Sequence, residues 1–525
     1  MVDIIVVGSG IAGLTASIHA SDNGARVSLI SPDYSERSQS VMAMGGINAA
    51  LDTKGENDSV KEHFTDTING GCEINNRKAV EMLTRDAPGI IDWLSRIGTS
   101  FTRDANGSVD LRNFGGQKKK RTAYAGSRTG KQIVSALVNA CRKRESEGKI
   151  KRFVGYRFLS LIFTDKNECC GVNCIHEDTQ EIKSFTGDAV IIATGGYNQL
   201  FGKILGSVQN DGFATAKLFT QGVELANLEM VQYHPTTVST SLKRMLITEA
   251  ARGEGGRLFV ERDGQRHYFM KEMYPELADL MPRDVVSRSI YNVSDGGKRE
   301  VFLDLTHLDE DTVKIRLDEV WEICNRYLNL NPLESPIPVF PAPHYFMGGI
   351  LTDENHRTNI KGLYAAGECS CQYHGANRLG GNSLLGAVHG GLICAQNAVL
   401  EKVEGNPVTA VDDEVDLYVN GDESLSHALG EISDIMNESM GIYRNEEGLK
   451  KGLERLNDLD TNVNAKYYDC QKVRLLKILA KASILSALSR KESRGAHQRT
   501  DYPQSDKNYE KATFVTYENG KIVIR

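Results

Sequence analysis

Apolar runs and helically spaced stripes alternate along the 525 residues in an order that predicts an α/β chain. Asp3 to Val7 is a short apolar run, residues 11 to about 23 carry helical spacing, and Arg26 to Ile30 is a second apolar run. Strand, helix, strand is the unit from which parallel sheets are built. Further strands are predicted at Phe153 to Phe163, Ala189 to Ala193 and Gly362 to Glu368. Residues 59 to 98 read as mostly helical scaffold, with Val80, Leu83, Ala87, Ile90, Ile91 and Leu94 near one face. An insertion at about 231 to 343 separates the last predicted strand from the others, and it ends in a Pro-rich stretch, Pro332 to Pro343, that reads as a hinge. From about 403 the pattern changes: Leu417 to Leu488 is charged, nearly Pro-free and helically periodic, predicting antiparallel helices, and Lys521 to Ile524 closes the chain as a strand-like run. The predicted fold is a split Rossmann-like domain at 1–230 and 344–402, an α+β capping domain inserted at 231–343, and a C-terminal helical domain and tail at 403–525.

Composition narrows the function without naming it. Forty per cent apolar and 25% charged residues are ordinary for a globular chain of two to four domains. A net charge of −7 leaves no basic footprint, so a nucleic-acid partner is not expected. No apolar run approaches the roughly 18 residues of a membrane span, and the first strand leaves no room for a leader, so a cytoplasmic protein is expected. The ten Cys lack zinc or iron-sulfur spacing; Cys169, Cys170, Cys174 and Cys369, Cys371 read as free thiols, and no metal site is expected. The basic run Lys118 to Arg121 reads as a solvated face.

Candidate chemistry begins at Gly8-Ser9-Gly10-Ile11-Ala12-Gly13, a GxGxxG between the first two strands. Gly8 permits the tight turn, Gly10 lets the backbone approach a pyrophosphate, Gly13 lets helix and strand pack, and the helix N-terminus faces the anion. The acidic residue expected at the end of the second strand is missing; Ser31 stands there, with Asp33 two further on. Ser38 to Ala50, rich in glycine and poor in charge, suits a flat apolar ligand. Pro341 to Leu385 concentrates His344, Arg378 and two Gly pairs; the two side chains are the kind of donors that grip carboxylates or phosphates. The insertion adds His234, Thr248, Glu249, Arg252 and Arg283, and the spacing of three sets Glu249 and Arg252 on one helical face. Taken singly, these admit bland readings: a salt bridge at Glu249 and Arg252, a hydrogen-bonded core His344, a loop brace at Arg378. Nothing assigns a role to His267, His307, His374 or His389.

The motifs GSGIAGL, RSQSVMAMGGINAA, RNFGGQ, SRTG, QYHPT, LITEAARGEGG, PRDVVSRS, FLDLTHL, PHYFMGGI, GLYAAGE, HGANRLGGNSLL and ESRGAHQRTDYP occur in this order. In order and spacing the chain resembles the flavoprotein subunits of succinate dehydrogenase and fumarate reductase, with L-aspartate oxidase as sister family. The resemblance implies an FAD-binding domain, a mobile cap and a helical domain. It implies FAD contacts at Gly8, Gly10, Ala12, Gly13, Ser31, Ser38, Gln39, Ser40, Gly45, Gly46, Ala193, Thr194, Gly195, Asp211, Glu368, Arg378, Ser383 and Leu384. It implies a dicarboxylate, fumarate or succinate, held by His234, Thr248, His344, Arg378 and Phe114. Arg283 matches the proton donor of the family's fumarate reductases, reprotonated through Glu249 and Arg252. The family also implies an iron-sulfur electron-transfer subunit as partner, through which the chain would sit at a membrane surface.

Three departures shape the expectation. Gln39 replaces the His that bonds covalently to FAD in respiratory members, so FAD is expected to be noncovalent and the direction to favour fumarate reduction. The Thr237 to Ile247 segment is longer than in those members, and Phe346 replaces a smaller Thr. These keep open L-aspartate oxidation, an electron-transfer flavoprotein subunit, and reduction of another activated alkene. Phe114 stands where aspartate oxidases place the carboxylate that meets the substrate ammonium, which favours the dicarboxylate.

Overall fold

The structure is a computed structural model that describes residues 2–202, 205–240, 244–408 and 423–525. Its nucleotide sheet has five parallel strands, with Asp3–Val7 between Ala189–Ile192 on one side and Arg26–Ser31 on the other; Leu363–Ala365 and Ile150–Val154 form the edges. Both faces are covered, which is why these strands read as continuous apolar runs instead of alternating ones. Alternation still sorts the side chains. Ile5 and Val7 join a core with Phe158, Phe213 and Leu363, whereas Ile4 and Val6 join a second core with Leu14, Ile18 and Val388. In that second core the helices Ile11–Asp22 and Asn382–Ala398 approach closely: a Cβ on Gly391 would lie 2.5 Å from the Ala12 carbonyl oxygen. Packing of these two helices brings the ends of distant segments to one place.

Residues 231–346 supply all six strands of a second, antiparallel sheet, in the order Arg244–Leu246, Val231–Ser239, Ile337–Phe346, Val301–Asp304, Arg257–Arg262, Gln265–His267. The expected hinge at Pro332 to Pro343 is therefore mostly strand, and the boundary expected at 343/344 falls inside it. Prolines are tolerated in this central strand because it changes partner midway. Ile337–Val339 pair with Val301–Asp304, whereas Phe340–Phe346 pair with Val231–Ser239, so each residue needs a ladder on one side at most. The helix Arg283–Val293 packs on the sheet through Val286, Ile290 and Val293.

The C-terminal helices Glu423–Ser439, Glu446–Asp458 and Tyr467–Ser489 pack on one another; residues 417–422 of the expected helical run lie outside the described residues. The terminal hairpin Phe514–Glu518 and Lys521–Ile524 pairs with Leu225–Ala226 in a third sheet. Buried Arg490 holds the tail there through Glu229 (2.7 Å), Glu492 (2.8 Å) and the carbonyl oxygens of Tyr509 and Lys511 (2.7 Å each). The basic run Lys118 to Arg121 is not uniformly solvated. Arg121 is fully buried and its guanidinium meets Asp58 and Asp66, each at 2.9 Å, because two carboxylates projecting from the neighbouring segment need a cation there. All ten cysteines are free thiols, and among the described residues no group of His, Cys, Asp or Glu could hold a metal ion. No helix among them is long and apolar enough to cross a membrane.

Candidate active site

One continuous cavity runs from the turn after the first strand to the underside of the six-stranded sheet. At its first end, a Cβ on Gly13 would lie 1.8 Å from the Gly8 carbonyl oxygen, so helix Ile11–Asp22 can press on the turn only with glycine there. Gly13 thus supports the site without lining it, whereas Gly8, Gly10 and Ala12 line the cavity. The helix has no side-chain cap, nor has Asn382–Ala398, whose first turn brings Ser383 and Leu384 to the same cavity. Two helix N-termini that begin on glycines, with no N-cap side chain to answer their amides, favour anions and carbonyl oxygens. Ser40 Oγ accepts from the Ile11 amide at 3.1 Å, while the buried Ser38 and Thr194 hydroxyls have no partner among the described residues.

Several expected cofactor residues are already engaged. Ser31 Oγ donates to the Asp33 carbonyl at 2.7 Å. The Asp211 carboxylate accepts from the Phe213 amide (2.9 Å) and the Tyr468 hydroxyl (3.1 Å). Gln39 accepts from the Ser207 amide. Ser31, Ser38, Gln39, Ser40, Ala193, Thr194, Gly195 and Asp211 all line the cavity, as do Gly45 and Gly46. Gly45 must be glycine, since a Cβ would lie 2.8 Å from the Phe114 ring. Glu368 lies farther along, its carboxyl pushed up to about 7 by burial, with the Phe346 amide donating to it at 3.2 Å. Unpartnered hydroxyls, two open helix ends and a glycine floor fit an extended dinucleotide with a flat ring system.

At the other end two irregular pairings aim the histidines. Between Gln232 and Tyr233 the register shifts, leaving His344 unpaired between Tyr345 and Pro343; a second shift follows His234. Such bulges turn a side chain off its strand face, and both imidazoles reach the cavity, their centroids 5.1 Å apart. Burial, then Arg283 and His344, holds His234 well below its ordinary value; burial, then Arg283 and Arg378, does the same to His344. The lowered values favour the neutral imidazole in both, and among the described residues His234 Nε2 and His344 Nδ1 lack partners. Arg378 is buried, and among the described residues it pairs with no carboxylate: its guanidinium stacks 4.1 Å over the Tyr345 ring, and Nε is unpartnered. Burial, then nearby Arg283, pushes it down to about 9. Thr248 and Phe114 complete this end.

Arg283, the first residue of its helix, carries a cation against the helix dipole, an arrangement that costs about 0.3–1 kcal/mol unless answered. Glu249 Oε2 answers it, accepting from Nε at 2.8 Å and Nη2 at 2.6 Å. Glu249 Oε1 accepts from the Gly115 amide at 2.9 Å and lies 3.5 Å from Arg252. Burial pushes the Glu249 carboxyl up, but Arg283, Arg252 and the Gly115 amide outweigh it and hold the group below the usual carboxylate range. Arg252 lies behind Glu249, fully buried and away from the cavity wall.

One expectation fails. Phe346 does not line the cavity: its ring is fully buried, 4.0 Å from the Tyr197 centroid and 5.8 Å from Phe201, because only its amide faces Glu368. It cannot select a substrate by contact. In the Thr237 to Ile247 segment Leu246 reaches the cavity, while residues 241–243 lie outside the described residues. Sequence reasoning also missed Tyr345, the Gly115 amide and Gln232, since a tyrosine inside a strand, a backbone N–H and a lone glutamine carry no pattern of their own.

A split dinucleotide fold whose ligand cavity ends among arginine and histidine donors is the architecture of a flavoprotein oxidoreductase. Residues 3–384 match the family model described as FAD binding domain, and residues 430–525 that described as fumarate reductase flavoprotein C-term. The chain is 38% identical to the succinate dehydrogenase flavoprotein subunit of Bacillus subtilis, covering 98% of this chain and 94% of that one. It is 34% identical to the fumarate reductase flavoprotein subunit of Haemophilus influenzae, covering 99% and 92%. A solved E. coli quinol fumarate reductase chain aligns with a TM-score of 0.90 and 31% identity, over 100% of this chain and 96% of that one. Adenylylsulfate reductase from Archaeoglobus fulgidus, at 18% identity and a TM-score of 0.77, shares the fold. The chain belongs to the succinate dehydrogenase and fumarate reductase flavoprotein family and is an FAD-dependent oxidoreductase.

Proposed function

We propose that this protein reduces fumarate to succinate, with Arg283 as the proton donor and FAD bound noncovalently. The observation that carries the reading is Arg283 itself, pinned by Glu249 at the wall of a cavity that also presents Arg378, His234 and His344. Two carboxylates losing their water need charge-assisted donors, and Arg378, whose Nε–H is unpartnered among the described residues, is available to them with the imidazoles and the Thr248 hydroxyl. FAD, when bound, supplies the hydride to one alkene carbon. Arg283 gives a proton to the neighbouring carbon, where negative charge builds; held in contact, it need not be a strong acid in solution. Hydride plus proton convert fumarate to succinate. Glu249 returns a proton to Arg283, drawing on Arg252 behind it.

Gln39, an amide that accepts a hydrogen bond from Ser207, offers no nucleophile for a covalent flavin link. An ammonium-bearing substrate would meet the Phe114 ring instead of a carboxylate, which disfavours aspartate. An iron-sulfur protein is the proposed electron donor, since the chain's relatives bear the name of flavoprotein subunits. The test is anaerobic reduction of the flavin followed by reoxidation with fumarate, iminoaspartate and substituted acrylates. Rapid reoxidation by fumarate, lost by about 100-fold or more in Arg283→Lys with FAD retained, is expected. Normal turnover in that variant would exclude Arg283 as donor.

A further inference from the structure

We infer that Gln232 is a positioning residue that sets the proton-donating face of Arg283 relative to the carboxylate-clamping loop. The inference rests on the proposed roles of Arg283 and Arg378. Gln232 is fully buried at the start of the strand Val231–Ser239, behind the cavity wall. Its orientation is dictated by its partners: Nε2 donates to Asn377 Oδ1 and to the Arg378 carbonyl oxygen, both at 2.8 Å, which uses both amide hydrogens. Oε1 must therefore face Arg283, and it accepts from Nη1 at 3.2 Å.

Arg283 has five N–H groups. Glu249 takes one from Nε and one from Nη2, and Gln232 takes one from Nη1. Among the described residues nothing takes the remaining hydrogens, one on each Nη, so Gln232 decides with Glu249 which edge of the guanidinium meets substrate. Its cross-strand partner is Tyr345, whose ring carries the Arg378 guanidinium. One rung of the sheet thus holds both ends of Arg378, the carbonyl through Gln232 and the charge through Tyr345. The clamp loop has further anchors, because Asn48 (2.8 Å) and Gln117 (2.7 Å) both donate to the Gly380 carbonyl. Among the described residues, Arg283 Nη1 has no partner other than Gln232. Loss of the amide should consequently disturb proton delivery more than substrate binding.

The test uses the FAD-loaded chain and Gln232→Met, close in volume but without the amide. Single-turnover reoxidation of the reduced flavin by fumarate should slow about 10- to 100-fold, the range expected for ångström-scale misplacement. Fumarate affinity, read from the flavin spectrum, should change less than about 3-fold, and the solvent deuterium isotope effect on the step should rise as proton transfer becomes limiting. Unchanged rate per bound flavin, with only lower thermal stability, would mean that the amide merely packs, and would overturn the inference. Gln232→Glu is the second variant: its anionic oxygen would hold the Arg283 proton, and protonation would restore a donor. The rate should fall and then recover toward acid pH, a limb absent from wild type; a wild-type rate and profile would overturn the inference. Arg283→Lys run alongside separates the two failures. Normal turnover there sinks the proton-donor reading itself, whereas a slow Arg283→Lys beside a normal Gln232→Met sinks only the role of Gln232.

Discussion

Arg378 should trade stability for substrate binding, and the size of the trade can be worked from its surroundings. The guanidinium is buried, stacks on Tyr345 and makes no ion pair with a carboxylate among the described residues. Its fall from an ordinary 12.5 to about 9 corresponds to roughly 5 kcal/mol for keeping the charge in an empty site. The cation–π contact returns about 1–2 kcal/mol. Arg378→Met, which fills similar volume without charge, should therefore stabilise the FAD-loaded protein by about 3–4 kcal/mol in urea denaturation. Fumarate should at the same time cease to perturb the flavin spectrum. The sign of the pH effect follows from the lowered value: the folded state gives up this proton before the unfolded state does, so wild type gains stability as pH rises past about 9. The advantage of the variant should shrink by about 1 kcal/mol between about pH 8 and 10. A variant less stable than wild type, with fumarate affinity retained, would refute both the electrostatic reasoning and the clamp.

Further outcomes follow from other parts of the site. His234 and His344 are held well below their ordinary values, so their contribution is intact above about pH 6.5 and is lost as pH falls; in His234→Gln/His344→Gln, urea midpoints should decline less steeply from about pH 6.5 to 4.5. FAD should leave the protein on acid precipitation, giving a yellow supernatant; colour retained in the pellet would contradict noncovalent binding at Gln39. Arg121→Met should cost about 3–5 kcal/mol, because Asp58 and Asp66 would be left buried without their cation, and calorimetry reads it directly.

Much of the site can be read in the chain because its residues travel in motifs whose spacing reflects local geometry. Glu249 and Arg252 lie three apart and do meet; Gly8, Gly10 and Gly13 divide between cavity and packing as a GxGxxG turn requires. Arg121 misled for the opposite reason. In the chain it is the end of a basic run, and only the fold reveals two carboxylates beside it. Phe346 misled because, two residues from His344, it would share that residue's face on a regular strand, and the bulge at His344 breaks that relation.

By itself, the sequence determined the order of strands and helices, the dinucleotide turn, and the family to which the donors belong. These depend on interactions a few residues long or on motifs preserved as units. Tertiary structure alone decided that Pro332 to Pro343 would be mostly strand, that His344 would turn inward at a bulge, and that Gln232 would tie Arg283 to the loop of Arg378. Those outcomes depend on which partner each strand and side chain finds across hundreds of residues. No local pattern encodes a choice made by packing at a distance.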